Sequence, residues 1–333
     1  MTVRAFISGC ASTMFSDEEK RFLSEACPWG LILFKRNIQN PAQVAELTRS
    51  YREIVGRADA PVLIDQEGGR VQRLGPPHWP NFPAAEKLAL AADTKASVEL
   101  GARLIANELT RLGINVDCLP VADLRFTGAH DVIGDRAYST DPVEVATLAR
   151  AAADGLMAGG VLPVVKHIPG HGRALADSHL ELPKVSASAA ELSRTDFEPF
   201  RRLSDLPLAM TAHVIYEAID PALPATISPK VVNDVIRGHI GFDGLLMTDD
   251  VSMKALSGGI GENTKAAFAA GCDLALHCNG KIDEMRAVAE NSPLLDGKSA
   301  ERAKKALDSI ASGPKPLDVA EAWSRFSAMI ETV

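Results

Sequence analysis

The greatest concentration of chemically active side chains lies in the middle of the chain, at the end of an apolar, strand-like run. The run ends in Lys166 and His167, and the Gly- and Pro-containing loop behind it carries His171, Asp177 and His179. Unpaired charge is costly to bury, so the two basic residues must have partners or a polar opening beside them. A polar surface loop is the simplest interpretation, but side chains of these types clustered at a strand end favour an active site.

A second polar stretch follows an earlier apolar run and could hold a sugar. Asp65 ends that run, Gly68 and Gly69 come next, and Arg73 follows closely. Glycines permit a tight turn and a close approach of the backbone, and Arg is suited to forked hydrogen bonding. A carboxylate beside an Arg could bind ligand hydroxyls, while a salt bridge that only secures the loop is the alternative. Arg136, in the loop behind the fourth run, offers another donor.

Two adjacent acids end the seventh strand-like run. Successive side chains of a strand point to opposite faces, so only one of Asp249 and Asp250 can readily point into a common site. An ionised carboxylate there could act as a nucleophile or as an electrostatic stabiliser. Glycoside hydrolysis uses two carboxyl groups, one as nucleophile and one as acid. Asp177 could hold and polarise His179, which would then protonate the leaving oxygen and later deprotonate water.

The elements that must position these residues repeat along the chain. Apolar runs alternate with segments of helical periodicity, such as Pro41–Val55, Lys95–Leu112 and the segment from Asp141 to Met157. The runs are Val3–Ser8, Gly30–Phe34, Pro61–Asp65, Ile114–Leu119, Val161–His167, Leu206–His213, Gly244–Asp249 and Asp273–Cys278. Eight such units predict an α/β fold, a (β/α)8 TIM-type barrel, in which the carboxyl ends of the strands meet on one face. A doubly wound open sheet is the alternative, although no Gly-rich phosphate loop follows the first run.

The end of the chain is predicted to form two more helices, Lys298–Ile310 and Leu317–Ile330. The second carries an apolar stripe that includes Trp323 and Phe326, a pattern that indicates core packing. No internal repeat or linker divides the sequence. We therefore expect a single catalytic barrel domain over residues 1–333, with C-terminal helices from about 298 packing on it.

Composition and charge argue against several classes of function. The 333 residues carry a net charge of −8 and a pI near 5.5 with no basic stripe, which argues against a nucleic-acid partner. No apolar run is long enough to cross a membrane, and the apolar stretch before Cys10 is too short for a signal peptide. Five scattered cysteines predict buried, reduced thiols. We expect a cytoplasmic protein, and nothing in the sequence indicates a cofactor, a metal or an obligate protein partner.

Three motifs, in this order, together resemble glycoside hydrolase family 3. They are DQEGGRVQR, KHIPGHG followed by DSH, and TDDVSM, and the similarity extends from Gly30 to Met253. The single-domain bacterial branch, the β-N-acetylhexosaminidases of peptidoglycan recycling, is the closer match. Ile168, Thr248 and Val251 depart from the usual motif residues, in positions that concern packing more than chemistry.

The resemblance implies a (β/α)8-type barrel and a retaining mechanism in two steps. It makes Asp249 the nucleophile that forms a covalent glycosyl–enzyme, and His179, assisted by Asp177, the general acid and base. The residues that it places around a terminal N-acetylglucosamine are Asp65, Arg73, Arg136, Lys166 and His167. The implied substrate is N-acetylglucosamine β-1,4-linked to anhydro-N-acetylmuramic acid, with or without a peptide, so the partner would be a small muropeptide.

Two other interpretations stay open. His167, His171, His179, His213 and Asp249 could surround zinc in a metal-dependent barrel hydrolase, although such sites usually have a His pair on an early strand and the first runs carry no His. A non-catalytic sugar-binding protein would keep the sugar-holding residues but would not need the nucleophile or the acid.

Some residues of the loops and strand ends have less certain assignments. His213 could line the site, but a satisfied core histidine is at least as well supported, and His277 has no assigned role. Gly170 and Gly172, which flank His171, are expected to give the loop freedom to open and close over substrate.

Overall fold

The structure, a computed structural model, describes residues 2–174 and 182–331. Its strands are short, and several have only two or three residues. They are β1 (Arg4–Ser8), β2 (Pro28–Leu33), β3 (Val62–Ile64), β4 (Gln66–Gly68), β5 (Val71–Gln72), β6 (Val116–Asp117), β7 (Leu162–Ile168), β8 (Lys184–Val185), β9 (Leu208–Thr211), β10 (Ile215–Tyr216), β11 (Leu245–Asp250) and β12 (Leu274–His277).

Eight of these strands close into a parallel barrel. Their order around the barrel is β1-β2-β3-β6-β7-β9-β11-β12 and back to β1, which is the order of the chain. Each apolar run of the sequence overlaps one barrel strand. The predicted (β/α)8 barrel is therefore confirmed, and the doubly wound open sheet is wrong. The other strands form two small sheets, an antiparallel hairpin of β4 and β5 and a parallel pair of β8 and β10.

Several helices begin where the sequence provides a capping side chain. The helices are α1 (Asp17–Ala26), α2 (Pro41–Val55), α3 (Ala85–Leu88), α4 (Thr94–Thr110), α5 (Pro142–Ala158), α6 (Ala189–Arg194), α7 (Glu198–Arg202), α8 (Ile260–Ala270), α9 (Ile282–Asn291), α10 (Gly297–Asp308) and α11 (Val319–Ile330), with a π-helix at Val231–His239. The side chains of Asn40 and Asp141 accept hydrogen bonds from the first turns of α2 and α5, and each of these helices starts with Pro.

Alternate strand residues fall into two separate hydrophobic clusters. Phe6 of β1 shares the outer cluster with Phe22 and Leu23 of α1, whereas Ala5 and Ile7 belong to an inner cluster to which every barrel strand contributes. The inner cluster fills the barrel. Its buried helical members come from α10, which closes the end of the barrel opposite the carboxyl ends of the strands.

The C-terminal helices pack on the barrel units. Arg302 of α10 forms ion pairs with Asp273, at the start of β12, and with Asp243. On α11, Phe326 is buried against Gly101 of α4, and the ring of Trp323 lies nearby. The apolar stripe predicted at this helix is therefore part of the core.

All five cysteines carry free thiols, as predicted, and four of them are buried. Within residues 2–174 and 182–331, no helix has the combined length and apolar character that crossing a membrane requires.

Candidate active site

Asp65 and Lys166 form the centre of a buried ionic network at the carboxyl ends of β3 and β7. Lys166 Nζ lies 2.9 Å from Asp65 Oδ1 and 2.6 Å from Glu67 Oε1, and Arg73 donates to Asp65 Oδ2 at 3.0 Å. Burial by itself would raise the pKa of Asp65, but Lys166 and Arg73 outweigh it and hold that pKa well below its usual range. The Asp65–Arg73 salt bridge considered from the sequence therefore exists, within a network that also includes Lys166.

Glu67, whose role was not predicted from the sequence, connects Lys166 with Arg136. The Nε and Nη2 atoms of Arg136 each donate to the Glu67 carboxylate at 2.8 Å, in a forked arrangement. Burial opposes ionisation of Glu67, but Arg136 and Lys166 lower its pKa to about 2. Arg136 thus joins the predicted cluster through Glu67. The sequence feature that could have identified Glu67 is its position, two residues after Asp65 and directly before Gly68 and Gly69.

The β4–β5 hairpin brings Arg73 back to the end of β3. Gly68 has a φ of +91°, and a Cβ atom there would lie 2.3 Å from the carbonyl oxygen of Pro83, so only glycine fits the turn. The side chain of Gln66 then fixes the returning strand, because its oxygen accepts from the backbone N–H of Arg73 at 3.0 Å. The tight approach expected of these glycines is confirmed.

Asp123, also missed from the sequence, fixes His167 and the start of the following loop. Its Oδ2 lies 2.7 Å from His167 Nδ1, and its Oδ1 accepts from the backbone N–H of His171 at 2.7 Å. Burial opposes ionisation, but His167 and His171 lower the pKa of Asp123, so the carboxylate is ionised and Nδ1 of His167 carries a proton. Nε2 of His167 remains as the ring atom that can serve a ligand.

His171 is buried beside His167, with ring centroids 5.7 Å apart. Burial and the neighbouring His167 lower the pKa of His171 to about 4, so it is neutral at pH 7. The charge of Asp249 acts on the pKa of His171 in the opposite sense.

The two acids at the end of β11 have different surroundings, as strand alternation predicts. Asp249 Oδ1 accepts from the backbone N–H of Asp250 at 2.8 Å. The Asp250 carboxylate accepts from the backbone N–H and the hydroxyl of Ser252 at 3.0 and 2.8 Å, so it caps the turn behind the strand. Burial, followed by the charges of Asp250, Asp249 and Asp65, raises the pKa of the Cys278 thiol. Asp65 directly follows β3 and Asp249 lies in β11, so both carboxylates belong to the carboxyl ends of barrel strands.

Asp177 and His179 lie outside the described residues, and their assigned roles stay predictions. The loop before them is closely packed. A Cβ atom on Gly172 would lie 2.0 Å from the carbonyl oxygen of Leu124, and Gly170 has a φ of +135°. At these two positions glycine therefore permits close packing, which is a different role from the freedom of movement that the sequence suggested.

His213 and His277, whose roles the sequence left open, are both buried. His213 bonds through both ring nitrogens, to Thr226 Oγ1 at 2.7 Å and to the carbonyl oxygen of Asp250 at 2.9 Å. His277 Nε2 lies 3.3 Å from Glu284 Oε2.

In the described parts of the chain, no three His, Cys, Asp or Glu side chains are grouped so that they could hold a metal ion.

A parallel barrel with ionised side chains gathered at the carboxyl ends of its strands is the architecture of many enzymes, and comparison with known proteins identifies the family. The sequence model described as "Glycosyl hydrolase family 3 N terminal domain" matches residues 4–308. The chain belongs to glycosyl hydrolase family 3.

Its similar relatives define the type of enzyme. A β-hexosaminidase of Alkalilimnicola ehrlichii is 40% identical over 289 residues, which are 84% of this chain and 82% of that protein. A β-hexosaminidase of Pseudomonas aeruginosa is 39% identical over 280 residues, 83% of either chain. The structure of NagZ from Neisseria gonorrhoeae in complex with N-trifluoroacetyl-D-glucosamine is similar over 99% of both chains, with a TM-score of 0.87 and 30% identity. The protein is a glycoside hydrolase of the β-N-acetylhexosaminidase type.

Proposed function

We propose that the protein is a retaining exo-β-N-acetylglucosaminidase that removes terminal N-acetylglucosamine from peptidoglycan fragments. The observation that carries the proposal is the position of two carboxylates at the carboxyl ends of barrel strands: Asp65 behind β3, neutralised by Lys166 and Arg73, and Asp249 at the end of β11. The first arrangement suits the holding of a sugar. The second suits attack on its anomeric carbon.

The ionic network has hydrogen-bonding capacity left for sugar hydroxyls. Lys166 has three N–H donors, of which Asp65 and Glu67 use two. The Arg73 side chain is 26% exposed, so guanidinium N–H donors that Asp65 does not use can reach a ligand oxygen. His167 would offer Nε2. In this proposal Arg136 supports the sugar site through its forked contact with Glu67.

The proposed reaction has two displacements. The Asp249 carboxylate attacks the anomeric carbon and forms an ester bond, while the glycosidic C–O bond breaks and His179, held by Asp177, gives its proton to the leaving oxygen. His179 then takes a proton from water, the water oxygen attacks the same carbon, and the Asp249 carboxylate is released. Each step inverts the anomeric carbon, so the sugar leaves in its original β configuration.

The substrate assignment rests on similarity. N-Trifluoroacetyl-D-glucosamine, an N-acyl glucosamine, is bound in the similar NagZ structure. We propose that this chain takes N-acetylglucosamine β-1,4-linked to anhydro-N-acetylmuramic acid, with or without a peptide, in the cytoplasm during cell-wall recycling. Residues 1–333 would form one catalytic domain that needs no cofactor, metal or protein partner.

Hydrolysis of p-nitrophenyl N-acetyl-β-glucosaminide, with and without EDTA, tests this function. The wild type should release p-nitrophenol regardless of EDTA, Asp249→Ala should be inactive, and Asp250→Ala should lose much less turnover because its carboxylate caps a turn. Inactivity of the wild type would favour a sugar-binding protein, and activity lost with EDTA would favour a metal-dependent hydrolase.

A further inference from the structure

A buried chain of hydrogen bonds ties His213 to the end of β11. His213 lies two residues after the end of β9 and is fully buried. Its Nδ1 lies 2.7 Å from Thr226 Oγ1, its Nε2 lies 2.9 Å from the carbonyl oxygen of Asp250, and Thr226 Oγ1 lies 2.7 Å from Thr211 Oγ1. The chain therefore runs from β9, through the segment that contains Thr226, to the strand end that carries the two acids.

The direction of the bond to Asp250 follows from its chemistry. A carbonyl oxygen only accepts, so His213 Nε2 is the donor to Asp250. His213 Nδ1 lies 2.7 Å from the Thr226 hydroxyl, which also donates to the carbonyl oxygen of Ala212 at 3.1 Å. Thr226 therefore ties the ring to the backbone behind β9.

His213 acts where the main-chain pairing of β11 becomes irregular. The ladder between β9 and β11 extends only to Met210 and Met247. On the other side, the register between β11 and β12 shifts between Met247 and Asp250. Such an irregularity leaves backbone groups to be held by other partners. The bond from His213 to Asp250 continues the connection between β9 and β11 beyond the last paired residues.

The backbone N–H and the backbone carbonyl oxygen of Asp250 both form hydrogen bonds with side chains. Its N–H donates to the carboxylate of Asp249 at 2.8 Å, and its carbonyl oxygen is held by His213. We propose that His213 is a positioning residue, which holds the Asp250 backbone so that the Asp249 carboxylate keeps the orientation needed for attack. The inference rests on the proposed function, in which Asp249 is the nucleophile.

Two substitutions at His213 test whether the residue positions Asp249, and distinguish that role from a role in folding or in sugar binding. His213→Phe keeps a ring but removes both bonds, whereas His213→Gln can still place an N–H near the Asp250 carbonyl. With p-nitrophenyl N-acetyl-β-glucosaminide, we expect His213→Phe to lower kcat about 10- to 100-fold with little change in KM, as misplacement of a reacting group does. His213→Gln should recover most of the lost kcat, and circular dichroism should show that both variants are folded.

Other outcomes would overturn the inference. A wild-type kcat in folded His213→Phe would show that the Asp250 contact does not matter, and a raised KM at unchanged kcat would assign His213 to the sugar. If His213→Phe does not fold, Thr226→Val takes its place, since it removes the hydroxyl that holds the ring. A several-fold lower kcat at unchanged KM is then expected, and an unchanged kcat contradicts positioning.

Asp249→Ala, measured beside these variants, separates this inference from the proposed function. If Asp249→Ala turns over substrate like the wild type, the proposed nucleophile is wrong and the positioning role is overturned with it. If Asp249→Ala is inactive while His213→Phe keeps the wild-type kcat, only the role of His213 is contradicted.

Discussion

At the scale of single residues, the site depends on a few buried charges that neutralise one another. Lys166 is shared by Asp65 and Glu67, and Glu67 is shared by Lys166 and Arg136. A buried ion pair costs desolvation energy, and removal of one partner leaves the other charge uncompensated. Glu67 is therefore as important to the arrangement as the residues that the sequence assigned to the sugar.

The Glu67→Gln variant tests how strongly the stability of the protein depends on this charge. The amide keeps the shape of the side chain but removes the charge that Lys166 and Arg136 need, so the free energy of unfolding should fall by about 3–5 kcal/mol. Glu86→Gln is the matched control, because Glu86 pairs with Arg125 at the surface and such pairs are worth about 1 kcal/mol or less. Urea unfolding at pH 7 measures both. Similar small losses of unfolding free energy in the two variants would show that the Glu67 charge does not stabilise the buried network.

His171 should make stability depend on pH. Because its pKa is about 4 in the folded protein and 6.5 in the reference state, the unfolded chain binds more protons between these values. Stability should therefore be level above about pH 7 and fall as pH drops, by about 2 kcal/mol at pH 5 from this residue. Urea unfolding at pH 7.5 and 5 should show a smaller drop in His171→Gln. An equal drop in both proteins would show that His171 is not the cause.

At the scale of elements, the barrel brings together groups from strands that are far apart in sequence. Local patterns were sufficient for the barrel strands and for several helices: Pro41–Val55 was predicted and observed with the same bounds, because its cap and apolar periodicity are local. The side chains that pair across the fold were not predictable from local patterns. Glu67 and Arg136 are 69 residues apart, and Asp123 and His167 are 44 apart. Pairings of that kind follow from barrel closure, which no local pattern contains.

The helix that closes the other end of the barrel gives a separate prediction. Asp273 is buried, and its carboxylate accepts from Arg237, Arg302, Ser299 and the backbone of Leu246. Asp273→Ala leaves the two arginines without this partner, and we expect a loss of about 3–5 kcal/mol in unfolding free energy.

Asp308→Ala is the control for α10, because the Lys304–Asp308 pair is exposed and contributes about 0.5 kcal/mol or less. Both variants should keep the wild-type KM below their unfolding temperatures, since α10 lies opposite the site. A KM change in Asp273→Ala at a temperature where it is folded would show that the two ends of the barrel are coupled.

At the scale of the whole molecule, the two ends of the barrel have different roles. One end is closed by α10 and by ion pairs that hold the strands, and the other gathers the ionised groups of β3, β7 and β11. This is the arrangement in which loops behind strands supply chemistry while the rest of the barrel supplies stability. The family membership of residues 4–308 agrees with it.

The most direct test of the account is to trap the covalent intermediate. A 5-fluoro-N-acetyl-β-glucosaminyl fluoride has a good leaving group but a slowed second step, so it should inactivate the enzyme by accumulating a glycosyl ester. Mass spectrometry should then find one sugar group on the wild type, carried by the peptide that contains Asp249, and none on Asp249→Ala. A sugar group on another residue, or turnover of the fluoride by Asp249→Ala, would contradict the central claim that Asp249 is the nucleophile.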